Sequence, residues 1–461
     1  MKEEVISIVD KLEKIIEKYS KSEKAFIDIR IEETWFNSIE KTIEDLRVRE
    51  GVDVGAAIRA FINGSWGFIS TQNLDIKNIE ECIKNAIKIA KARSGELKIV
   101  EVDPLRDYVK YPVSIKPEDV DPEVKVRDIL ELFNTIKSRD YVKSCTITYT
   151  DDKICKVYIS SDGREIIQEM YYSYMRVSVS GFREGFHTTV VDSKGSRYGY
   201  TIFKKWSIEK LSNIVLKKLE CQLFGTLPKG GRFTVIMAPD VVGTFVHEIF
   251  GHLAEADITM SGSVVKDLKN CKIGSDLVTI VDNCDIDDGF GTFKYDDEGI
   301  RTRNAILVEN GVFREVMVDR VYAASLNQEP TGNARAESFR VAPLIRMRNT
   351  ILLPRDSKFE EMIRDIKFGY YLVSARGGQA NIDGTFQVGI QEAYEIVNGE
   401  IGRPVRNMSI SGNVLEILKN ITMVGKDLEI DYGLCGKGQI VYVSAGGPHI
   451  KVENVQVGGY V

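Results

Sequence analysis

The stretch VHEIFGH, Val246–His252, sets a glutamate between two histidines. Imidazoles bind zinc, and a carboxylate beside such an ion can take a proton from water. In the familiar zinc-hydrolase spacing, H-E-x-x-H, the histidines stand four residues apart on one helical face. Here His247 and His252 are five apart. An α-helix turns about 100° per residue and rises about 1.5 Å, so the pair would diverge by about 140° with an axial offset of about 7.5 Å. Zinc–nitrogen bonds are about 2.0–2.1 Å, so an undistorted helix serves the two poorly as joint ligands. One π-type turn absorbs the extra residue and returns i and i+5 to the same face. Gly251, just before the second histidine, lowers the steric cost of such a distortion. The spacing predicts a π turn or widened turn between His247 and His252, with Glu248 beside the open position of a metal. A helix that merely carries two packed histidines is the competing reading, and spacing alone leaves both open.

A catalytic zinc needs a third protein ligand. Glu255 lies three residues after His252, on the same helical face. Cys435 sits in the glycine-flanked loop YGLCGKGQ, and a thiolate binds zinc well. Cys271 and Cys284 read as ordinary buried positions. Residue chemistry leaves Glu255 and Cys435 both in play. Of the other histidines, His449 in GGPHI reads as structural, and His187 lies in a strand-rich region far from any motif.

The elements that must position these residues follow from periodicity. Residues 4–19 place Val5, Ile8, Val9, Leu12, Ile15 and Ile16 at helical spacing. AFIDIRIEE, LRVREG and GAAIRAFINGSWGFIST read as strands, with Asn63-Gly64 as a hairpin turn. IEECIKNAIKIAKARS is a second helix. Residues 98–118, rich in proline and charge and without a clear period, read as a linker. The order then recurs: helix PEVKVRDILELFNTIKSRD, four strands from SCTITYTDD to HTTVVDSKGSRYGYTIF, and helix SIEKLSNIVLKKLECQLFG with Ser207 as N-cap. LPKGG, 227–231, is a Pro/Gly hinge. Beyond it come the strand RFTVIMAPD, the helix VVGTFVHEIFGHLAEAD and then mostly strands, with helical breaks near 320–325, 358–365 and 412–421. The expected fold is α+β. Helix–strands–helix units over 1–97 and 119–226 precede a β-rich domain, 227–461, that carries the two-histidine helix.

Composition narrows the classes. A chain of 461 residues with 43% hydrophobic and 28% charged residues can build its own core. A net charge of -6 without a basic, aromatic-interleaved stripe argues against nucleic-acid binding as the main task. No apolar run reaches membrane-spanning length, and the N-terminus lacks the pattern of a signal peptide. Seven scattered cysteines without a C-x-x-C pair fit a reducing compartment. A cytoplasmic protein is expected.

HEIFGHLAEAD is followed by YDDEGIRTRNAILVENGVF, TGNARAESF, RMRNTILLP, ARGGQANIDGTFQVGIQEAYEIVNGEI and CGKGQIVYVSAGGPHIKVENVQVGG. In this order the segments resemble the TldD/PmbA family of metallopeptidases, and GVDVGAAIRAFINGSWGFIST resembles that family's first domain. The resemblance spans nearly the whole chain. It is to the TldD type, which carries H-E-x-x-x-H, rather than the PmbA (TldE) type, which lacks it. It implies one Zn2+ per chain on His247, His252 and Cys435, Glu248 as catalytic base, and Glu255 as a residue that orients His252. It further implies cleavage of peptides or unfolded segments by a dimer, either a homodimer or a pairing with a PmbA/TldE-type chain. CGKGQ is one residue shorter than the family's pattern after the cysteine. The alternative is a peptide-binding or assembly subunit whose zinc is structural.

Three further motifs carry expectations. Asp296, Asp297 and Glu298 in YDDEG read as a solvated turn, ahead of a second metal site or a site for a substrate's amino end. SARGGQANIDGTF offers an edge to which a peptide could add by main-chain hydrogen bonds, or a tight bend. TGNARAESF reads as a flexible polar surface loop that could cover a cleft.

Overall fold

The structure, a computed structural model, describes residues 2–459, with side chains from residue 8. The first 23 residues are mostly helix, Lys2–Glu23, which lays Val9, Leu12 and Ile16 on a sheet; Val5 lies outside the described side chains. That sheet has seven strands in the order Ser65–Thr71, Leu46–Ile62, Phe26–Lys41, Val142–Ser160, Arg164–Arg183, Leu105–Lys110, and Phe186–Ser196 also pairs with Arg164–Arg183. Both helix–strands–helix units therefore feed one sheet. Asn63 and Gly64 turn the first hairpin with φ of 49° and 73°, the left-handed conformation that a two-residue turn needs.

Two readings change here. Residues 98–118 hold a strand, Leu105–Lys110, which runs parallel to Arg164–Glu169 at the sheet edge. SCTITYTDD and ICKVYISSDG are one continuous strand, Val142–Ser160, because Asp151 and Asp152 stay in register with Ser173 and Tyr172. Asp151 is fully buried and paired with Lys125 Nζ at 2.7 Å, so its charge does not break the strand.

The helices lie where their capping predicts. Asp121 accepts from Glu123 N ahead of Pro122–Lys137, and Ser207 accepts from Lys210 N ahead of Ile208–Phe224. Ile208–Phe224 buries Leu211, Val215, Leu219 and Leu223, one stripe at a spacing of four.

The C-terminal part is built on two sheets. One orders its strands Val312–Phe313, Ala305–Glu309, Ile280–Asn283, Asn349–Leu352, Ile440–Gly447, Glu429–Gly436. The other runs Phe368–Ala380, Gly231–Met237, Ile450–Gly459, Met408–Asn413, Thr385–Val397, Glu400–Pro404. Phe368–Ala380 also pairs with Thr385–Val397, so five of these strands close on themselves. The two-histidine segment packs between the sheets, with Val242, Phe245, Val246, Ile249 and Phe250 in the largest core cluster beside Leu372, Val388 and Val443. Short helices occupy Arg320–Leu326, Phe359–Ile363 and Val414–Lys419, at the expected breaks.

The acidic cluster is not a solvated turn. Asp296, Asp297 and Glu298 are 4%, 8% and 2% exposed. Glu298 pairs with Arg59 at 2.8 Å and Asp297 with Lys156 at 2.8 Å, across the junction between the N-terminal sheet and the C-terminal part. Burial would push Asp297 up, but Lys156 and Arg30 outweigh it and hold its carboxyl at about 2. TGNARAESF is buried too: Thr331 and Asn333 are fully enclosed, and Arg335 donates to the Met347 and Tyr442 carbonyls. Cys271 is exposed and Cys284 half-buried, against the expectation of buried thiols. His449 is held between Tyr371 Oη, at 2.9 Å, and Asp427.

Candidate metal centre

Ala238 leaves the strand Gly231–Met237 in an extended conformation, and Pro239, whose fixed φ suits a first helical turn, starts a short helix, Pro239–Thr244. The segment Phe245–Gly251 is a π-helix, the widened turn that the five-residue spacing requires. His252 N–H donates to the carbonyl of His247 itself, so the i+5 hydrogen bond joins the two histidines. Their rings come to 5.3 Å between centroids, 80° apart in plane. The helix then tightens over His252–Ala254 and stops at Glu255, which is extended.

Gly251 has an ordinary helical φ of -56°, so the turn does not need its conformational freedom. What it needs is space: a Cβ there would stand 2.2 Å from Met347 Sδ and 3.0 Å from Val246 O. Met347 is fully buried between Arg346 and Arg348 and has little room to retreat. Gly251→Ala should therefore destabilise the fold by about 1–3 kcal/mol through overpacking. Thermal unfolding checks this, and an unchanged midpoint would mean that the turn has room to spare.

Cys435 reaches the histidines from the strand Glu429–Gly436, in register with Val441 of the next strand. Ligand atoms of His247, His252 and Cys435 all lie within 4.8 Å of one another, the one such His/Cys/Asp/Glu group among the described residues. Cys435 Sγ is 3.4 Å from His252 Nε2. Two ligands of one tetrahedral zinc are separated by about 3.3–3.6 Å, so this spacing suits the ion. His247 is 4% exposed, yet neither ring nitrogen has a hydrogen-bond partner. A buried polar atom left alone costs about 1–3 kcal/mol, a cost that coordination would remove. Burial alone would raise the Cys435 thiol, but the adjoining imidazoles of His247 and His252 outweigh it and bring it down to about 4. A thiolate at neutral pH is the form that binds metal. Burial would lower His252, but Cys435 and Glu255 raise it to about 10, so a metal binding there would displace a proton. The donor set thus fits zinc.

A second layer holds these groups. Glu255, fully buried, meets His252 Nδ1 at 2.8 Å through Oε2 and leaves Nε2 turned to Cys435. Lys437 Nζ lies 3.1 Å from the same Glu255 oxygen, 2.7 Å from Asp257 Oδ2 and 2.9 Å from the Ile345 carbonyl. Arg346, fully enclosed, donates to the carbonyls of Cys435 at 2.6 Å and Gln439 at 2.8 Å, fixing both ends of the CGKGQ loop. Gly438 turns that loop at φ 69°, while Gly436 faces open space. Sequence reasoning missed Lys437, Asp257 and Arg346. Their partners lie far along the chain, and no local spacing marks them.

Glu248 is more open than its neighbours, its side chain 37% exposed, with Oε1 4.0 Å from His247 Nε2 and Oε2 3.9 Å from His252 Nε2. His247 and Glu248 line a cavity of about 320 Å³ whose walls come from both parts of the chain, including Tyr174, Lys218, Arg376 and Tyr432. One wall is the segment 375–377. There Asp240 accepts from Ser374 Oγ and Ala375 N, Gln391 donates to the Ala375 carbonyl, and Gly377, at φ 128°, meets open space.

The chain and its fold have relatives among known proteins. Family profiles described as PmbA/TldA metallopeptidase domain 1, central domain and C-terminal domain match residues 28–90, 115–223 and 230–459. The chain is 40% identical over 452 residues to a "Zinc metalloprotease TldD homolog" of Saccharolobus solfataricus, covering 97% of this chain and all of that one. It is 37% identical to a "Metalloprotease" of Methanothermobacter thermautotrophicus, over 89% of this chain and 90% of that one. The crystal structure of TldE from Thermococcus kodakarensis superposes with a TM-score of 0.79 at 19% identity, over 97% of this chain and all of that one, and shares the fold. The chain belongs to the TldD/PmbA family of metallopeptidases. Among the described residues, no helix is long and apolar enough to cross a membrane.

Proposed function

We propose that this chain is a zinc-dependent peptidase of the H-E-x-x-x-H type. It would hold one Zn2+ on His247, His252 and Cys435 and act on peptides or unfolded polypeptide segments. The observation that carries the reading is the convergence of those three side chains beside a part-exposed glutamate that faces a cavity. When bound, zinc supplies Lewis-acid polarisation of a carbonyl and makes water more acidic. Glu248 acts as general base: it takes a proton from the attacking water and returns it to the leaving amine. His252 is kept in the ligating orientation by Glu255, and Glu255 by Lys437. The wall at 375–377 offers main-chain groups to an extended peptide. A structural zinc would be closed by a fourth protein ligand, whereas this cluster comprises three among the described residues. We place the enzyme in the cytoplasm, as a homodimer or paired with a PmbA/TldE-type chain.

The test is metal content together with cleavage of an unstructured peptide. Purified protein should carry about one zinc per chain, lose cleavage on chelation and regain it when zinc is restored. Full cleavage by metal-free protein would end the proposal.

A further inference from the structure

The cavity at His247 and Glu248 has a charged wall that the proposed reaction does not use. Asp192, Asp240 and Asp431 place three carboxylates along it. Asp192 is taken up by Lys218 at 2.7 Å and Lys194 at 3.0 Å. Asp240 accepts from Ser374 Oγ at 2.8 Å and Ala375 N at 2.9 Å, with Lys218 at 3.7 Å. The Asp431 side chain makes no hydrogen bond or ion pair among the described residues. Lys194 and Lys218 thus serve Asp192 and Asp240, and the Asp431 carboxyl is left without a close cation of its own. Burial and the neighbouring Asp240 push the Asp431 carboxyl up to about 7, against the pull of Lys194 and Lys218. Arg176 and Arg376 also line the cavity, but both are exposed at its rim.

Position gives this unmatched group a role. Asp431 and Cys435 lie four residues apart on one strand, so they share a face, about 13 Å apart at the rise of a strand. Asp240 opens the helical segment that carries His247, and it anchors the backbone of the 375–377 wall through Ala375 N. A peptide running along that wall away from the zinc residues passes both carboxylates. A part-buried carboxylate without a partner gains from a cation brought in by a ligand.

We propose that Asp431, backed by Asp240, is a specificity determinant that receives an ammonium group of the bound peptide, either its free α-amine or a lysine side chain. This assignment rests on the peptidase reading above. Its test therefore reads binding, so that loss of cleavage and loss of recognition are separable. Zinc-loaded Glu248→Gln protein is titrated with C-terminally labelled, unstructured peptides of about ten residues, followed by fluorescence anisotropy. One set keeps the α-amine and carries a lysine at each central position in turn. Matched sets are N-acetylated, or have norleucine for lysine, or both. Blocking the relevant amine should weaken Kd at least tenfold, the scale of one charge-assisted hydrogen bond. Adding Asp431→Asn, which nearly preserves side-chain size, should reduce the difference to within about twofold. Sensitivity to acetylation identifies the α-amine, and sensitivity to norleucine identifies lysine. Equal binding of all the peptides, discrimination that survives Asp431→Asn, or no measurable binding of any peptide overturns the proposal.

Discussion

Glu248→Gln should leave zinc bound and lower peptide cleavage by about 10²–10⁴-fold, the usual contribution of a positioned general base. Glutamine keeps the shape of the side chain and removes its ability to accept and carry a proton. The metal should stay because the three converging ligand atoms belong to His247, His252 and Cys435. The glutamate oxygens stand 3.9–4.0 Å from the imidazole Nε2 atoms, one small molecule away rather than in contact. The π turn makes that placement possible. On a regular helix Glu248 would follow His247 around the axis while His252 pointed elsewhere; the i+5 bond brings His252 back and leaves Glu248 beside both. The measurement is kcat on a fixed peptide together with zinc content of the same preparation. Normal kcat with zinc retained would remove Glu248 from the chemistry. Loss of zinc would make it a ligand instead. Glu248→Asp sharpens the result: it keeps the charge but withdraws it by one methylene, so activity should fall between the wild type and the glutamine variant.

How far the sequence could be read depended on how local each feature is. The π turn followed from helix arithmetic on a seven-residue stretch, because the two histidines are useful together only if one turn is widened. The helix cap at Ser207 and the Asn63-Gly64 turn were legible for the same reason: partner and position lie within a few residues. Cys435 was different. Spacing could not choose between it and Glu255, because which strand borders the histidine segment is set by a six-stranded sheet assembled from four separate stretches of chain. It was the resemblance that pointed to it. The acidic cluster was misread because local hydrophilicity resembles solvent exposure. Its partners Arg59 and Lys156 lie 239 and 141 residues away, and only the folded chain reveals the compensation. TGNARAESF failed likewise, since the carbonyls that satisfy Arg335 belong to Met347 and Tyr442, 12 and 107 residues further along the chain. The strand at Leu105–Lys110 was hidden because an edge position leaves alternate residues exposed, and charged side chains there erase the apolar period.

Cys435→Ser should cost zinc affinity by more than the roughly 10–100-fold that losing an outer partner costs, and activity should fall with it. The argument is one of charge and of anchoring. With the thiolate gone, the cluster offers two imidazoles and a neutral hydroxyl, and the held negative charge that draws a dication is lost. The backbone should not move to compensate: Arg346 grips the carbonyls of residues 435 and 439, and neither contact uses the cysteine side chain. The expected variant is therefore folded and weakly metallated. Competition against a zinc chelator of known affinity measures the loss, and far-ultraviolet circular dichroism checks the fold. Glu255→Gln is the informative companion. It keeps all three ligand side chains but replaces a carboxylate that touches both His252 and Lys437 with a neutral amide. Its affinity loss should lie within the 10–100-fold range of an orienting group, clearly smaller than for Cys435→Ser. If the order were reversed, with Glu255→Gln losing zinc and Cys435→Ser keeping it, the third ligand would be Glu255. The thiol 3.4 Å from His252 Nε2 would then be a packing neighbour of the site.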